Sequence, residues 1–465
     1  MRPLLFRLGV AALIGATAFT VYWMRPEPLP DTDTLAVADL VKPNQPPKGI
    51  VFLFSGAKGY TPSDAETTRQ LAAAGALVVG IDLQKSFAKV QSETDCVYFV
   101  SDIEELSQLI QRSAGAETYL SPIVAGAGSG GSMVMAIMAQ SPDATIGRAV
   151  AVDPTAYLPL KQELCSDTPH VQAAGGKGWT YGLQAGALPA PITVVDTPAA
   201  DPAGQGHVSD LIAQGFPIDR VAAAGGEATA LTAAVEHALV QPAAPTDDAL
   251  ADLPLTVLPA AARHDTMAIV LSGDGGWRDI DSEVGAALAQ AGVPTVGIDS
   301  LRYFWKNKPP ETIAADLTRI IDHFGRTWKV SHVALIGYSF GADVLPATYN
   351  RLAPAEKARV SLVSLLALSG SATFQFDVGS WLGMDDDTSH PTLPDVARMP
   401  VSILQCIYGS DDDDSVCDKI TGGADIVMLD GGHHFDDDYA PLAKRIIARI
   451  RAGDPAKRAD VGLKP

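Results

Sequence analysis

The chain has 465 residues, of which 47% are hydrophobic and 19% charged, and this is the composition of a folded globular protein. It excludes a disordered, collagen-like or coiled-coil chain, and the length suffices for two or three domains with their own cores. The formal net charge at pH 7 is −20. So acidic a surface repels phosphate backbones, which argues against nucleic-acid binding and favours a cationic partner or substrate.

Residues 1–30 have the pattern of an export signal. Arg2 and Arg7 precede an uncharged apolar run, Leu8–Met24, and a Pro-rich stretch follows. Small residues at Ala16–Ala18 offer a cleavage site, but the apolar run continues past them and is near the lower length limit for spanning a bilayer. A cleaved signal peptide and an uncleaved N-terminal anchor both fit, and in either case we expect the body of the protein to be exported.

The four cysteines fit an oxidising compartment, because their number is even and two lie in each half of the chain. We expect a disulfide between Cys406 and Cys417 and a second between Cys96 and Cys165, with four unpaired thiols as the alternative. None of the spacings is that of a zinc site, so the sequence predicts neither a metal nor another cofactor.

An internal duplication organises the chain. Segments of the first half recur in order in the second half: Ile50–Gly56 as Met267–Gly273, Gly80–Asp82 as Gly297–Asp299, and Ile123–Gly126 as Ala334–Gly337. Each half alternates short apolar strands with helical segments, which predicts a parallel sheet with helices on both faces. We therefore predict an α/β unit at residues 31–240, a linker at 241–252 and a second α/β unit at 253–465.

The second unit carries a G-x-S-x-G motif at Gly337–Gly341, between an apolar strand at Val333–Ile336 and a helical segment at Ala342–Leu352. In this context the glycines permit a strand-to-helix turn that is too tight for side chains, and the turn exposes the serine hydroxyl. The motif predicts Ser339 as the nucleophile of an α/β-hydrolase.

An acid follows the nucleophile in this fold, and a histidine follows the acid. The strand predicted at Val401–Tyr408 leads into the run Asp411–Asp414, so the orienting acid is expected there. We prefer Asp412, with Asp411 and Asp414 as alternatives.

The general base is predicted at the end of a later strand. Asp425–Leu429 is followed by two glycines, His433, His434 and Phe435. His433 is the predicted base because it comes directly after the glycines, and His434 is the alternative.

An oxyanion hole needs backbone N–H groups that point at the developing negative charge. Phe340, directly after the nucleophile, is the first predicted donor. The second is expected in the glycine-rich segment Ser272–Trp277, at Asp274 or Gly275. Trp277, at the end of this segment, is a predicted substrate contact.

The first unit lacks this machinery. Its corresponding motif, Gly126–Gly130, places Gly128 where the nucleophile belongs, and Ser129 comes one residue late. His207 is predicted to lie in a Gly- and Ala-rich loop with no matching acid. We predict two tandem α/β-hydrolase-like domains, of which the first is degenerate and packs, docks a partner or shapes the cleft.

Three motifs carry a resemblance to a known family: Leu271–Trp277, Gly337–Asp343 and Gly431–Phe435. With the export signal and the duplication, the chain resembles the bacterial virulence protein family of AcvB and VirJ, in its long, two-unit form. The likeness covers nearly the whole exported chain. It implies a periplasmic hydrolase that releases lysine from lysyl-phosphatidylglycerol, with links to virulence, acid tolerance or type IV secretion.

The resemblance places the family's nucleophile at Ser339, its acid in the Asp411–Asp414 run and its base at His433 or His434. A lysyl ester would bring two ammonium groups to this site, and carboxylates near the predicted loops could attract them. Asp343 is the second predicted substrate contact. The other acidic residues near these loops are Asp274, Asp279, Asp281 and Asp436–Asp438.

Two alternative functions stay open at the level of sequence. One is a non-catalytic periplasmic adaptor of a type IV secretion system, and the other is a serine esterase or thioesterase for another substrate. The expected partners are an aminoacylated phospholipid at the membrane surface and secretion-system proteins, with no nucleic acid. A candidate cap over acyl chains contains Phe374, Phe376, Trp381, Leu382 and Met384, for which packed loop core is the alternative.

Overall fold

A computed structural model describes residues 29–93, 95–184, 186, 188–240, 248–376 and 389–453. The predicted export signal, residues 241–247 of the predicted linker, and Trp381, Leu382 and Met384 of the candidate cap lie outside the described residues. Within the described ranges, no helix combines the length and the apolar character needed to cross a membrane.

The first unit is built on a mainly parallel sheet. Its strands are β1 (Val37–Val41), β2 (Gly49–Phe54), β3 (Ala76–Ile81), β4 (Ile123–Ala127), β5 (Arg148–Val152), β6 (His170–Gln172), β7 (Trp179–Tyr181), β8 (Ile192–Asp196) and β9 (Ile218–Ala222). The sheet order in the described chain is β1-β3-β2-β4-β5-β8-β9, with the edge strand β1 antiparallel to β3. Strands β6 and β7 form a separate antiparallel pair.

Helices cover both faces of this sheet. They are α1 (Pro62–Ala73), α2 (Leu83–Lys89), α3 (Val100–Ser113), α4 (Ser129–Gln140), α5 (Pro202–Ala213) and α6 (Glu227–Val240). One face packs against α1 and α6, and the other against α3, α4 and α5. Strands β2 and β3 are buried along their whole length, which is why their sequences are continuously apolar rather than alternating.

The second unit repeats the plan. Its strands are β10 (Leu255–Leu258), β11 (Thr266–Leu271), β12 (Thr295–Ile298), β13 (His332–Tyr338), β14 (Val360–Leu366), β15 (Ser371–Ala372), β16 (His390–Pro391), β17 (Leu404–Gly409) and β18 (Asp425–Leu429). The order of the described sheet is β10-β12-β11-β13-β14-β17-β18, again with the first edge strand antiparallel. Strand for strand this matches the first sheet, so the two halves share one topology.

The helices of the second unit also form two layers. They are α7 (Asp279–Gln290), α8 (Ser300–Tyr303), α9 (Pro310–Trp328), α10 (Phe340–Arg351), α11 (Pro354–Arg359), α12 (Leu393–Val396) and α13 (Ala440–Gly453). Helices α7 and α13 pack on one face of the sheet, and α9 and α10 on the other. The two tandem α/β units are those expected from the sequence.

Polar residues at equivalent strand ends show how the repeated sequence produces repeated structure. The side chains of Asp82 and Asp299 accept hydrogen bonds from the backbone N–H groups three residues later, and so cap α2 and α8. The hydroxyls of Ser55 and Ser272 accept from the first N–H of the same two helices, at 3.0 and 2.9 Å. The duplication therefore extends to individual hydrogen bonds.

The strand predicted from Val401 begins later. Val401–Ile403 form a 3₁₀ turn, and β17 starts at Leu404. Val401 is exposed and lies before the paired part of the strand, which is buried from Leu404 to Ile407. The strand at Asp425–Leu429 has the predicted bounds.

The two units contact each other through an apolar cluster. Tyr119 of the first unit packs with Leu301, Trp305 and Phe376 of the second, all of them buried. Arg112 of α3 lies over the Trp305 ring and donates to the backbone carbonyls of Trp305 and Phe376. Of the two described residues of the candidate cap, Phe376 is thus part of the packed interface, and Phe374 packs against the core of the second unit.

Each unit contains one of the expected disulfides. Cys96 is bonded to Cys165 in the first unit, and Cys406 to Cys417 in the second. The second bond ties the strand β17 to the end of the loop that carries the aspartate run. Cys406 and Cys417 are fully buried, so this loop is fastened to the core at both ends.

Candidate active site

The turn between β13 and α10 holds Ser339 in a strained backbone conformation, with φ 49° and ψ −119°. A Cβ on Gly337 would overlap the backbone of Gly341, and a Cβ on Gly341 would overlap the carbonyl oxygens of Leu271 and Ser272. Both glycines of the motif are therefore required by close backbone approach. The result is a serine hydroxyl raised above the end of the sheet.

The structure brings Ser339, His433 and Asp412 into one line. His433 Nε2 lies 2.9 Å from Ser339 Oγ, and His433 Nδ1 lies 3.1 Å from Asp412 Oδ2. The Asp412 side chain is 3% exposed, whereas the His433 side chain is 34% exposed. A buried carboxylate thus orients an imidazole that faces both the serine and the solvent-open side.

The alternative residues occupy other positions. His434 Nδ1 lies 2.8 Å from the hydroxyl of Tyr338, so its ring is directed away from the serine. Asp411 and Asp414 are exposed at the surface of the loop. Among the alternatives left open by the sequence, Asp412 and His433 contact each other, and His433 contacts the serine.

The predicted oxyanion segment lies beside the serine. A Cβ built on Gly273 would be 3.8 Å from Ser339 Cβ. The Gly273 N–H donates to Asp281 Oδ2 at 3.2 Å, so the candidate second donor stays with Asp274 or Gly275. Phe340 is the first residue of α10, directly after the serine.

Asp281, which helps to hold this segment, is fully buried below it. Its second carboxyl oxygen, Oδ1, has no hydrogen-bond partner among the described residues. Burial raises the pKa of Asp281 well above the usual value. A carboxyl in such surroundings favours its neutral form, in which Oδ2 can still accept the Gly273 N–H.

Trp277 does not have the exposed position expected of a substrate contact. Its side chain is 8% exposed and belongs to the core between the sheet and α7. The ring packs directly on Gly285 and Gly297, and a Cβ at either position would overlap it. Packing, rather than substrate binding, accounts for this residue.

Asp343, the other predicted substrate contact, lies in the first turn of α10 and is engaged within the protein. Its two oxygens accept from the backbone N–H of Ser369 at 2.8 Å and from the Ser369 hydroxyl at 2.6 Å. Burial raises the pKa of Asp343 to about 7, and the nearby charges of Asp274 and Asp412 act in the same direction. These carboxylates are therefore close enough to repel one another.

The first unit retains the elbow without its chemistry. Gly128 has φ 56° and ψ −119°, nearly the angles of Ser339, and Ser129 begins α4 one residue later. His207 lies within helix α5 rather than in a loop, and burial lowers its pKa. The first unit thus offers no hydroxyl at the turn.

Sequence reasoning missed the roles of two residues that support the site. Tyr338, inside the motif itself, holds His434 and also donates to the carbonyl of His433 at 3.4 Å. Asp281 fastens Gly273. Tyr338 could have been singled out because it adjoins the nucleophile, whereas nothing in the sequence links Asp281 to Gly273. Among the described residues there is no cluster of His, Cys, Asp and Glu that could hold a metal ion.

A mainly parallel sheet, a serine at the tight turn after its central strand, and a histidine and an aspartate from the ends of later strands define an α/β-hydrolase. Residues 265–454 match the family model described as bacterial virulence protein (VirJ). This match confirms, for the second unit, the resemblance found in the sequence motifs. A comparison with curated proteins found no match.

The solved structures to which this chain shows similarity include esterases and a serine hydrolase. Est1E from Butyrivibrio proteoclasticus is 12% identical, with a TM-score of 0.31 over 43% of this chain and 92% of that one. XC6422 from Xanthomonas campestris, described as an α/β serine hydrolase without a lid, is 16% identical. Its TM-score is 0.31, and the match covers 48% of this chain and 100% of that one. A thermophilic esterase from Thermogutta terrifontis is 13% identical, with a TM-score of 0.33 over 43% and 94%.

Proposed function

We propose that the protein is a periplasmic serine hydrolase that cleaves the lysyl ester of lysyl-phosphatidylglycerol at the membrane surface. The observation that carries the proposal is the contact of Ser339 Oγ with His433 Nε2 at 2.9 Å, with Asp412 behind the imidazole at 3.1 Å. A non-catalytic adaptor of a secretion system has no need of this alignment, so the enzyme is favoured over the adaptor.

In the proposed reaction, Ser339 Oγ attacks the carbonyl carbon of the lysyl ester while His433 Nε2 takes the hydroxyl proton. Asp412 stabilises the imidazolium that forms. The N–H of Phe340 and an N–H of Asp274 or Gly275 stabilise the alkoxide. The ester C–O bond then breaks, and His433 gives the proton to the departing oxygen, which leaves as the free hydroxyl of phosphatidylglycerol. Water releases lysine from the acyl-enzyme by the same steps.

The charges around the serine support a cationic acyl group. Burial is the main cause of the raised pKa of the Asp343 carboxyl, and the charges of Asp274 and Asp412 add to it, so these two carboxylates lie near Asp343. Asp279, at the start of α7, is a further exposed carboxylate, which pairs with Arg278 at 3.5 Å. A substrate with two ammonium groups would relieve this mutual repulsion, whereas a neutral ester would not. The acidic net charge of −20 favours the same class of substrate.

The test is hydrolysis of lysyl-phosphatidylglycerol in mixed vesicles by purified protein, compared with phosphatidylglycerol esters of neutral acyl groups. We expect release of free lysine, abolished in Ser339→Ala and unchanged in Ser129→Ala, the matched serine of the first unit. If the wild type cleaves neutral esters but leaves the lysyl lipid intact, the hydrolase stands and the substrate is wrong. If folded Ser339→Ala retains the wild-type rate, the nucleophile is wrong.

A further inference from the structure

Helix α3 of the first unit contacts loops at the active-site end of the second unit. It carries two charged residues on the side that faces those loops, Glu104 and Arg112. Arg112 binds the backbone of Trp305 and Phe376. Glu104 reaches a different loop, the glycine-rich segment that holds the candidate oxyanion donors.

The contact of Glu104 is with Arg278, directly after Trp277. Arg278 donates to Glu104 Oε1 at 2.6 Å and to the hydroxyl of Thr145, also in the first unit, at 3.0 Å. The two charged side chains are only 21% and 17% exposed. Ion pairs with this little solvent exposure are screened weakly, and removal of one partner leaves a charge poorly solvated.

The guanidinium of Arg278 also lies against the backbone of the donor segment. A Cβ at Gly275 would be 2.9 Å from Arg278 Nε and equally close to one of the terminal nitrogens. The second unit by itself anchors the two ends of the segment, through the Gly273 N–H on Asp281 and the Trp277 ring in the core, and the Gly276 N–H closes a turn on the Gly273 carbonyl at 3.2 Å. Asp274 and Gly275 lie between those anchors, with Arg278 packed on their outer side.

We propose that the degenerate first unit is a positioning element for the catalytic unit, in which Glu104 holds Arg278 against Gly275 and so fixes the oxyanion segment. This inference rests on the proposed function in assigning the segment to catalysis. Glu104 and Arg278 are positioning residues, because they act through the backbone of Asp274 and Gly275.

Loss of the Glu104 charge has a specific structural consequence. Arg278 already pairs with Asp279, whose carboxylate lies 3.5 Å from its Nε, and Glu104 binds the terminal nitrogen Nη1. Without Glu104, the terminal nitrogens would turn further towards Asp279 or towards solvent. Either movement withdraws the guanidinium from Gly275 and frees the segment between its two anchors. Because stabilisation of an oxyanion requires donors placed to within a fraction of an ångström, the barrier for acylation should rise more than substrate binding weakens.

The test compares Glu104→Gln with Glu117→Gln in the full chain. Glu117 also pairs across the interface, but its side chain is 74% exposed and its partner, Lys306, lies outside the glycine-rich segment. For Glu104→Gln we expect kcat on a neutral chromogenic ester to fall about tenfold or more with KM within about twofold. Hydrogen exchange of peptides covering residues 273–279 should become faster. Both quantities should stay at wild-type values in Glu117→Gln.

Arg278→Lys is the second variant, since it keeps the charge but loses the planar two-pronged geometry, and it should resemble Glu104→Gln. Unchanged exchange at residues 273–279 in folded Glu104→Gln overturns the proposal, and so does an equal effect of Glu117→Gln. If the wild type cleaves no ester but Glu104→Gln alone loosens the segment, the positioning role stands and the proposed function fails.

Discussion

Asp412 shows how burial selects one carboxylate from a run of four. Its neighbours in the run are solvated, whereas its side chain is 3% exposed and contacts His433. A carboxylate in that place fixes the tautomer and the direction of the imidazole, so that Nε2 presents its lone pair to the serine. The role of an acid in such a run is therefore a property of position, not of residue type.

Replacement of this acid should be far more costly than replacement of its neighbours. Asp412→Asn is expected to lower kcat by about 10⁴-fold, because an amide can hold the imidazole in the wrong tautomer. Asp411→Asn and Asp414→Asn, which change the same charge in the same loop, should stay within about twofold. Steady-state kinetics on one ester substrate measures all three variants. A large loss in Asp411→Asn with an active Asp412→Asn would reassign the acid.

Asp343 should make the stability of the protein depend on pH. Its pKa is about 7 in the folded protein and 3.8 ordinarily, so between these values the folded state keeps a proton that the unfolded chain has released. Stability from this group is complete below the ordinary pKa and is lost as pH rises through about 7.

The comparison is with Asp343→Asn, which cannot titrate. Relative to this variant, the wild type should lose about 2 to 3 kcal/mol of unfolding free energy between pH 5 and pH 8. Urea-induced unfolding at the two pH values measures the difference, and other titrating groups cancel because both proteins share them. An equal difference at both values would show that the carboxyl is ionised throughout.

At the scale of elements, the strand-turn-helix unit is the feature that the two halves share most closely. Gly128 and Ser339 adopt almost the same backbone angles, and each turn is flanked by glycines pressed against the neighbouring strand. A helix that starts this close to the sheet leaves no room for a Cβ. The packing requirement therefore persists in the first unit although the nucleophile does not.

Alanine at these flanking glycines should damage both units alike. Gly341→Ala and Gly130→Ala each place a Cβ against carbonyl oxygens at the end of the adjacent strand. Relief of this overlap would require the strand backbone to move, which disrupts the sheet. We expect a loss of about 3 kcal/mol or more, or insoluble protein. Gly206→Ala, at an exposed position inside α5 with open space around it, is the control and should be neutral or stabilising by about 1 kcal/mol. Thermal unfolding provides the comparison, and a normal Gly130→Ala protein would contradict it.

At the scale of the whole molecule, the two units form one structure with a shared interface. Its centre is Trp305, which is 1% exposed, donates its indole N–H to the carbonyl of Ala116 at 2.9 Å and lies beneath Arg112. The apolar centre and the polar contacts around it are the anatomy of a stable interface. The active-site end of the second unit is thereby fixed against the first.

Arg112→Ala should weaken this interface. It removes the donor to two backbone carbonyls and the cation above the Trp305 ring, and we expect a loss of about 2 to 4 kcal/mol. The two units should then unfold in more clearly separated steps, which calorimetry and Trp fluorescence can follow. A single transition at the wild-type temperature would show that the contact contributes little.

Local features were predictable from the sequence by itself. The duplication, the alternation of strands and helices and the α/β fold class follow from apolar runs and repeated motifs, and the structure confirms them. Ser339 could be picked out because the strand, the glycines and the helix that shape its turn are contiguous in the chain. Predicted element bounds shifted by a few residues, as where β17 begins at Leu404, because the sheet rather than the sequence run sets the first paired residue.

Contacts between distant residues were decided by the tertiary structure. Asp412 and His433 had several equivalents nearby in sequence, and only the packing of strand ends determined which reached the serine. Trp277 resembled a site residue but fills a slot made by glycines on two other elements. The pair of Glu104 and Arg278 is separated by 174 residues, so no local pattern could reveal it. Sequence determined what each segment can form by itself, and tertiary structure decided which side chains meet, because burial and partners come from other parts of the chain.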